Sequence, residues 1–355
     1  MDFKSKKCKF LILSPNYNSG NLSGIGKLTT SLKNSFPKSV LIDRKYVEKT
    51  KLGILEKNKF LNKIFKNSII FYLRFFICVF EAKKKYKGYK ILATSQEYVH
   101  PIMTSKDIAL YQDFIQLFYP RDFFKFIMYL YILVLPFVRK YSIQSCSNSS
   151  IRFLKIFLNK NRINLYSHVI KDISYDQVYI DRDIDFLWIG TDAKHKNLLM
   201  FLEALKELEK KNKETKSVIK ISLSNKISKK NLKERLSYFK SDIKLITDYI
   251  SPMEIIKFYR SSKFFISTSY IEGYCVPARE GAVNGCKPIL PQNNIFKECH
   301  NSYSSLYKYN PIDLSEKLYE GILTYSSSIC YETSEIAKKE QHAEKNNRNG
   351  FKIYF

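Results

Sequence analysis

The sequence predicts an α/β protein built from two doubly wound parallel sheets, and three observations carry that expectation. Short apolar runs ending in Gly, Ser or Pro recur along the chain and read as buried strands. Stretches of helical period separate them, so the strands should run parallel and be joined by helical crossovers. The alternation is interrupted once, by polar residues 171–185 (KDISYDQVYIDRDID), and then restarts. A chain of 355 residues is too long for one ordinary core and suits two domains. The expected division is residues 1–170, a linker over 171–184, a second domain over 185–335 and a C-terminal helix or tail over 336–355.

In the first half, residues 8–15 (CKFLILSP) form an apolar run that stops at Ser-Pro. A Gly-bearing loop over 16–26 follows, then a helical stretch to about Phe36. Residues 41–46 (LIDRKY), 90–95 (KILATS), 107–113 (DIALYQD) and 143–146 (IQSC) read as further strands, with an amphipathic helix near 60–87. In the second half, 185–190 (DFLWIG), 218–224 (VIKISLS), 244–249 (KLITDY), 263–269 (KFFISTS) and 287–291 (KPILP) read as strands. Between them lie helices over 197–211, over 251–262 with Ser251 as N-cap and Pro252 at its first position, and over 276–285. Ligands of such sheets bind beyond the carboxyl ends of the strands, which is where the unusual residues fall.

Composition excludes several classes. With 45% hydrophobic and 26% charged residues the chain is globular, not disordered. Sixty basic residues against 33 acidic give a net charge of +27, which favours anionic partners. Nucleic acid is not expected, because no zinc spacing, aromatic RNA-binding motif or helix-turn-helix pattern occurs. Seven widely spaced cysteines without a C-x-x-C pair fit reduced cytoplasmic thiols better than disulfides or zinc. The N-terminus runs directly into a strand, so no signal peptide is expected. The apolar stretches 68–80, broken by Arg74, and 126–138, carrying Pro136, fall short of a membrane span. They read as buried core helices or as helices lying on an anionic membrane surface.

Chemistry concentrates in residues 267–282. There a strand ends, Gly273 permits close approach of backbone to ligand, and a helix begins whose first amides suit an anion such as a diphosphate. Glu272 precedes the turn and Glu280 lies about one turn into the helix, so both carboxylates can serve one cleft and accept hydrogen bonds from hydroxyls. Lys196 follows a Gly turn at a helix start and is a candidate phosphate ligand. The D-x-D of Asp181, Asp183 and Asp185 lies in the linker ahead of a strand and reads as solvated charge. The Gly20–Gly26 spacing and Leu28 exclude a Walker A loop.

The E-x7-E spacing of Glu272 and Glu280 and its surroundings resemble the donor-site signature of retaining GT-B glycosyltransferases of the glycosyltransferase 4 type. That signature usually reads E-G-F-G-L-P, then Glu-Ala, then C-G-x-P-V-I; here the last part is residues 285–290 with Gly and Cys transposed. Residues 188–198 (WIGTDAKHKNL) resemble the family's V-G-T-x-x-x-R-K-N-L turn, with His195 where Arg is common. Residues 16–27 resemble its Gly-rich loop. Residues 110–115 (LYQDFI) resemble its H-D-L-I-P segment, with Gln112 in place of His. The resemblance spans roughly residues 8–325 and is strongest in the second half.

That resemblance implies a GT-B fold, two Rossmann-like domains facing a central cleft, with the acceptor on the first and the nucleotide-sugar donor on the second. It implies Glu280 on the ribose, and Lys196 with backbone amides on the diphosphate. Glu272 and the Gly273–Cys275 backbone would hold the sugar. Glu272, Lys196 and Gln112 are the expected catalytic residues; Gly24, Gly190, Thr191, His195, Tyr274, Cys275 and Val276 complete the expected donor site. Transfer with retention to a glycan or lipid-linked acceptor, in surface polysaccharide or lipopolysaccharide synthesis, is expected. Neither metal nor cofactor is expected, the nucleotide-sugar being a substrate. Composition adds an expected location on the cytoplasmic side, peripheral on an anionic membrane. Two other readings stay open: a sugar-nucleotide epimerase or phosphorylase on the same fold, and a non-catalytic glycan- or nucleotide-binding protein.

Overall fold

The computed structural model describes residues 8–15, 24–50, 67–111, 123–157, 163–165, 181–223 and 226–347. The chain divides into two compact units between Val169 and Ile170.

The first unit contains β1 (Phe10–Leu13), α1 (Gly24–Ser35), β2 (Val40–Ile42), α2 (Arg44–Glu48), α3 (Asn67–Lys85), β3 (Lys90–Ala93), β4 (Ile108–Tyr111), α4 (Phe123–Val138), β5 (Ser142–Ser145), α5 (Asn148–Phe157) and β6 (Ile163–Leu165). Its six strands are ordered β2-β1-β3-β4-β5-β6, and all pair in parallel. Each of β1 and β4 is buried throughout, as a sheet covered on both faces requires. Leu11, Leu13, Ile91, Ala93, Ala109 and Tyr111 form one side of the core against Phe75, Val79, Ile132 and Leu135.

One predicted strand is corrected here. Over residues 41–46 the strand stops at Ile42, because extended Asp43 caps α2 and its carboxylate accepts from the Tyr46 amide at 2.8 Å. The two apolar stretches are helices α3 and α4, each partly buried. Thus α3 buries Tyr72, Phe75, Cys78, Val79 and Ala82 but exposes Leu73, Ile77 and Phe80, while α4 buries Ile132 and Leu135 and exposes Ile127, Leu130, Val134, Phe137 and Val138. Among the described residues no helix is long and apolar enough to cross a membrane.

The second unit contains β7 (Ile184–Thr191), α6 (Leu198–Lys210), β8 (Lys216–Ser222), α7 (Lys226–Leu236), β9 (Asp242–Ile246), α8 (Pro252–Ser261), β10 (Ser262–Ile266), α9 (Val276–Val283), β11 (Lys287–Pro291), α10 (Asn294–His300), β12 (Ser305–Tyr307), α11 (Pro311–Thr324) and α12 (Ser327–Asn347). The order β12-β11-β10-β7-β8-β9, all parallel, is the doubly wound order that reverses between β7 and β10. Phe186, Trp188, Ile219, Ile221, Phe264 and Ile266 face α6 and α11. Leu187, Val218 and Phe265 face Tyr259 of α8 and Ala278 of α9. Helix α8 starts on a complete capping box, Ser251 with Glu254 and Pro252 behind it. The final helix runs unbroken through residue 335 to Asn347.

The linker expectation is also corrected at its end. Arg182 is buried and donates to the carbonyls of Tyr259 (2.7 Å), Ser262 (2.6 Å) and Asn284 (2.7 Å). Asp185 is half-buried and pairs with Lys263 at 2.8 Å, whereas Asp181 and Asp183, the latter bridged to Lys216, are exposed. These groups lie at the amino end of β7, away from the carboxyl ends where ligands of such sheets bind.

Candidate functional site

The two segments singled out in the sequence follow β7 and β10, the neighbouring strands at which the second sheet's order reverses. There the adjoining crossovers leave toward opposite faces and open a crevice beyond the strand ends. A chain of hydrogen bonds ties the segments together. Trp188 Nε1 donates to Thr268 Oγ1 at 3.0 Å, that hydroxyl donates to the Lys196 carbonyl at 2.8 Å, and the Tyr270 amide donates to the His195 carbonyl at 2.9 Å. Tyr309 adds a bond from its hydroxyl to the Thr268 carbonyl at 2.8 Å and accepts from Asn197 Nδ2 at 2.9 Å.

This stitching delivers Lys196 to Glu272: the Nζ and Oε1 atoms form an ion pair between residues 76 positions apart. The Glu272 side chain is 10% exposed and that of Lys196 22%, so water screens the pair little while a ligand can still reach it. Asn197, in the left-handed region at φ 43°, turns the chain from the short 3-10 turn of residues 194–196 into α6. Gly190 has no room for a side chain, because a Cβ there would lie 2.4 Å from the Trp188 ring. Thr191 is exposed and His195 half-buried.

After Glu272 the backbone passes through buried Gly273, Tyr274 and Cys275. Cys275 is the N-cap of α9 in the left-handed region (φ 66°, ψ 65°), and half-buried Val276 opens the helix. Burial pushes the Cys275 thiol up to about 12, so it remains protonated at neutral pH. Glu280 is half-buried and accepts from Tyr259 at 3.4 Å. Burial, reinforced by Glu280, raises the Tyr259 hydroxyl well above its usual range and keeps it a donor. Lys196 and Glu272 are therefore brought into contact, whereas Glu280 is oriented toward α8.

Of the residues expected from the first unit, Gly24 begins α1 just after β1. Gln112 lies outside the described residues, as do residues 16–23 of the Gly-rich loop. Among the described residues no group of three or more His, Cys, Asp or Glu is placed to hold a metal ion. Among the described residues no cysteine forms a disulfide.

Sequence reasoning passed over Lys220. It sits in the middle of β8, paired across the sheet with Ile189 and Ile246, and is 8% exposed. Burial lowers its ammonium's affinity for the proton, opposed by Asp248 beyond the end of β9. It faces the same side of the sheet as α8 and α9. A lone lysine inside the apolar run VIKISLS is the signal that could have marked it.

Residues 172–324, within the second unit, match the family "Glycosyl transferases group 1", and that match supports a glycosyltransferase. No curated protein matches the sequence. Among solved structures, Anabaena HepE in complex with UDP-glucose superposes with TM-score 0.69 at 11% identity, covering 96% of this chain and 98% of its own. WaaG, a glycosyltransferase involved in lipopolysaccharide biosynthesis, superposes with TM-score 0.65 at 10% identity, covering 94% and 95%. TarM superposes with TM-score 0.60 at 12% identity over 77% of this chain, which spans only 57% of TarM's length. The fold is thus α/β of the GT-B kind, two parallel six-stranded sheets with their helices.

Proposed function

We propose that the chain is a retaining, nucleotide-sugar-dependent glycosyltransferase of the glycosyltransferase 4 type, acting on a glycan or lipid-linked acceptor. The observation that carries this reading is the Lys196–Glu272 pair at the point where the second sheet's order reverses. An anionic diphosphate arriving there meets a lysine already held in place, together with the first amides of α9. Glu280, oriented by Tyr259, accepts from ribose hydroxyls, and Glu272 accepts from hydroxyls of the sugar.

In this reading the acceptor hydroxyl bonds to the anomeric carbon on the face from which the diphosphate departs. The carbon–oxygen bond to the diphosphate breaks, and the acceptor's proton passes to the departing phosphate oxygen. Lys196 and the amides stabilise the charge that develops on that oxygen. No protein nucleophile is assigned, and the protonated Cys275 thiol is not one.

A uridine diphosphate sugar is the first donor to test, since HepE is seen with UDP-glucose. Surface polysaccharide or lipopolysaccharide synthesis is the proposed setting, on the cytoplasmic face of an anionic membrane. The exposed stripe Ile127, Leu130, Val134 and Phe137 recurs at three- and four-residue spacing on one side of α4, and exposed Lys84 and Lys85 end α3. Lys83 takes less part in such a surface, because it lies 3.8 Å from buried Asp107. The test is transfer from a labelled UDP-sugar to a glycan or lipid-linked acceptor, with product configuration read by NMR and a parallel reaction in EDTA. Retained configuration and undiminished turnover in EDTA are the expected outcomes. An inverted product, or loss in EDTA restored by manganese or magnesium, contradicts the proposal.

A further inference from the structure

Arg279, next to Glu280, is among the largest fully buried side chains of the protein. Its Nη2 donates to the Cys299 carbonyl at 3.1 Å and to Glu344 Oε1 at 3.0 Å, with Glu340 Oε2 at 3.5 Å; both carboxylates belong to α12. The guanidinium carbon lies 5.9 Å from the centre of the Tyr274 ring and 5.1 Å from that of Tyr303, so two aromatic faces cover the cation. Fully buried His300 completes the cluster, Nε2 meeting the Tyr274 carbonyl and Nδ1 the Tyr303 hydroxyl. Burial, with Arg279 nearby, pushes this imidazole down to about 3 and keeps it neutral, although the Tyr274 carbonyl favours its charged form. Nε2–H then donates to the Tyr274 carbonyl, and Nδ1 accepts from Tyr303.

The peptide held by His300 leads into Cys275, a residue with a side chain at φ 66°. Such a conformation is uphill for any residue but glycine and persists where the surroundings over-determine it. In the pattern that this segment resembles, E-G-F-G-L-P, the corresponding position is glycine, which adopts it freely. Here the strained residue and the buried Arg–His cluster occur together, one directly behind the other.

We propose that Arg279 and His300 are positioning residues that hold the Tyr274–Cys275 turn in its left-handed conformation and tie it to the last helix, replacing the freedom of a glycine with an external clamp. The functional part of this inference rests on the donor-site reading. Binding of UDP at the turn then depends on the clamp only while residue 275 carries a side chain.

The experiment is a double-mutant cycle on the full chain. UDP affinity by titration calorimetry and amide hydrogen exchange of residues 273–276 are measured for His300→Phe, Cys275→Gly and their combination. His300→Phe alone should weaken UDP binding about tenfold and speed exchange at the turn. In the Cys275→Gly background the same change should cost little of either. Should His300→Phe fail to fold, Glu344→Gln, at the outer end of the cluster, is measured in the same two backgrounds with the same expectation. Equal losses in both backgrounds, or no change in UDP affinity and exchange, overturn the proposal. If the unmutated chain binds no UDP, the donor reading has failed for that nucleotide, and the exchange cycle alone decides the clamp: a rise confined to the Cys275 background supports it, and equal rises or none overturn it.

Discussion

The two units share a topology and differ at the place where it matters. In each, the strand order reverses beside the first strand, between β1 and β3 in one sheet and β7 and β10 in the other. In the first unit the described residues there include half-buried Glu97 after β3; Ser14 bonds Thr29 at 2.9 Å, and Thr94 donates its hydroxyl to the Leu13 carbonyl at 2.9 Å. In the second the corresponding loops carry a lysine against a glutamate, with a further glutamate on the helix that follows. Among the described residues, the second unit's loops set a lysine against a glutamate, whereas the first unit's set hydroxyls against one another and against a carbonyl.

The sharpest way to break that contrast is to remove its cation. Lys196→Ala should lower turnover by on the order of a hundredfold, the scale seen when one preorganised charge-stabilising group is lost. It should leave the fold intact, which circular dichroism and thermal unfolding would check. Wild-type turnover in this variant would reduce Lys196 to a partner of Glu272 with no role in transfer.

Next in size is Glu280→Ala, which should weaken nucleotide-sugar binding by about 1.5–3 kcal/mol through loss of a charge-assisted bond to ribose. Unchanged donor affinity would show that the carboxylate serves only Tyr259.

The first unit should answer differently. Thr29→Ala removes a buried hydroxyl that bonds Ser14 and the Ile25 carbonyl, and should cost about 1 kcal/mol of stability in denaturant titration. Its donor affinity should match that of the unmutated chain; a loss of affinity as large as that from Glu280→Ala would erase the distinction between the two units.

The comparison explains what the sequence could reveal. Strands such as β1, β10 and β11 were legible because sheets covered on both faces demand continuous apolar runs. The Glu272–Glu280 spacing was legible because strand, turn and helix start lie within one short segment. Long-range pairings were not. Nothing local says that Arg182 clamps three carbonyls across the unit, or that Arg279 meets a helix 61 to 65 positions later. Residues 41–46 misled because Asp43, which stops the strand, also fits an exposed strand position, and only its bond to Tyr46 identifies it as a cap. Lys220 hid inside a strand whose pattern invited no closer reading.

The smallest effect concerns the first unit's surface. Vesicle flotation should show binding to anionic and not neutral vesicles, lost at high salt, each Lys near the surface contributing on the order of 1 kcal/mol. Phe137→Ser, on the exposed stripe of α4, should weaken that binding without altering donor affinity. Absence of binding to either vesicle at low salt would favour a soluble acceptor.

The proposed function requires that the second unit's Lys196–Glu272 crevice bind a nucleotide-sugar. A thermal-shift screen of UDP-, GDP-, ADP- and CMP-sugars tests it directly, run on the unmutated chain beside Lys196→Ala and Glu280→Ala. At least one donor should raise the melting temperature of the unmutated chain, and both variants should lose most of that rise. No response to any donor, or a response that both variants keep in full, would contradict it.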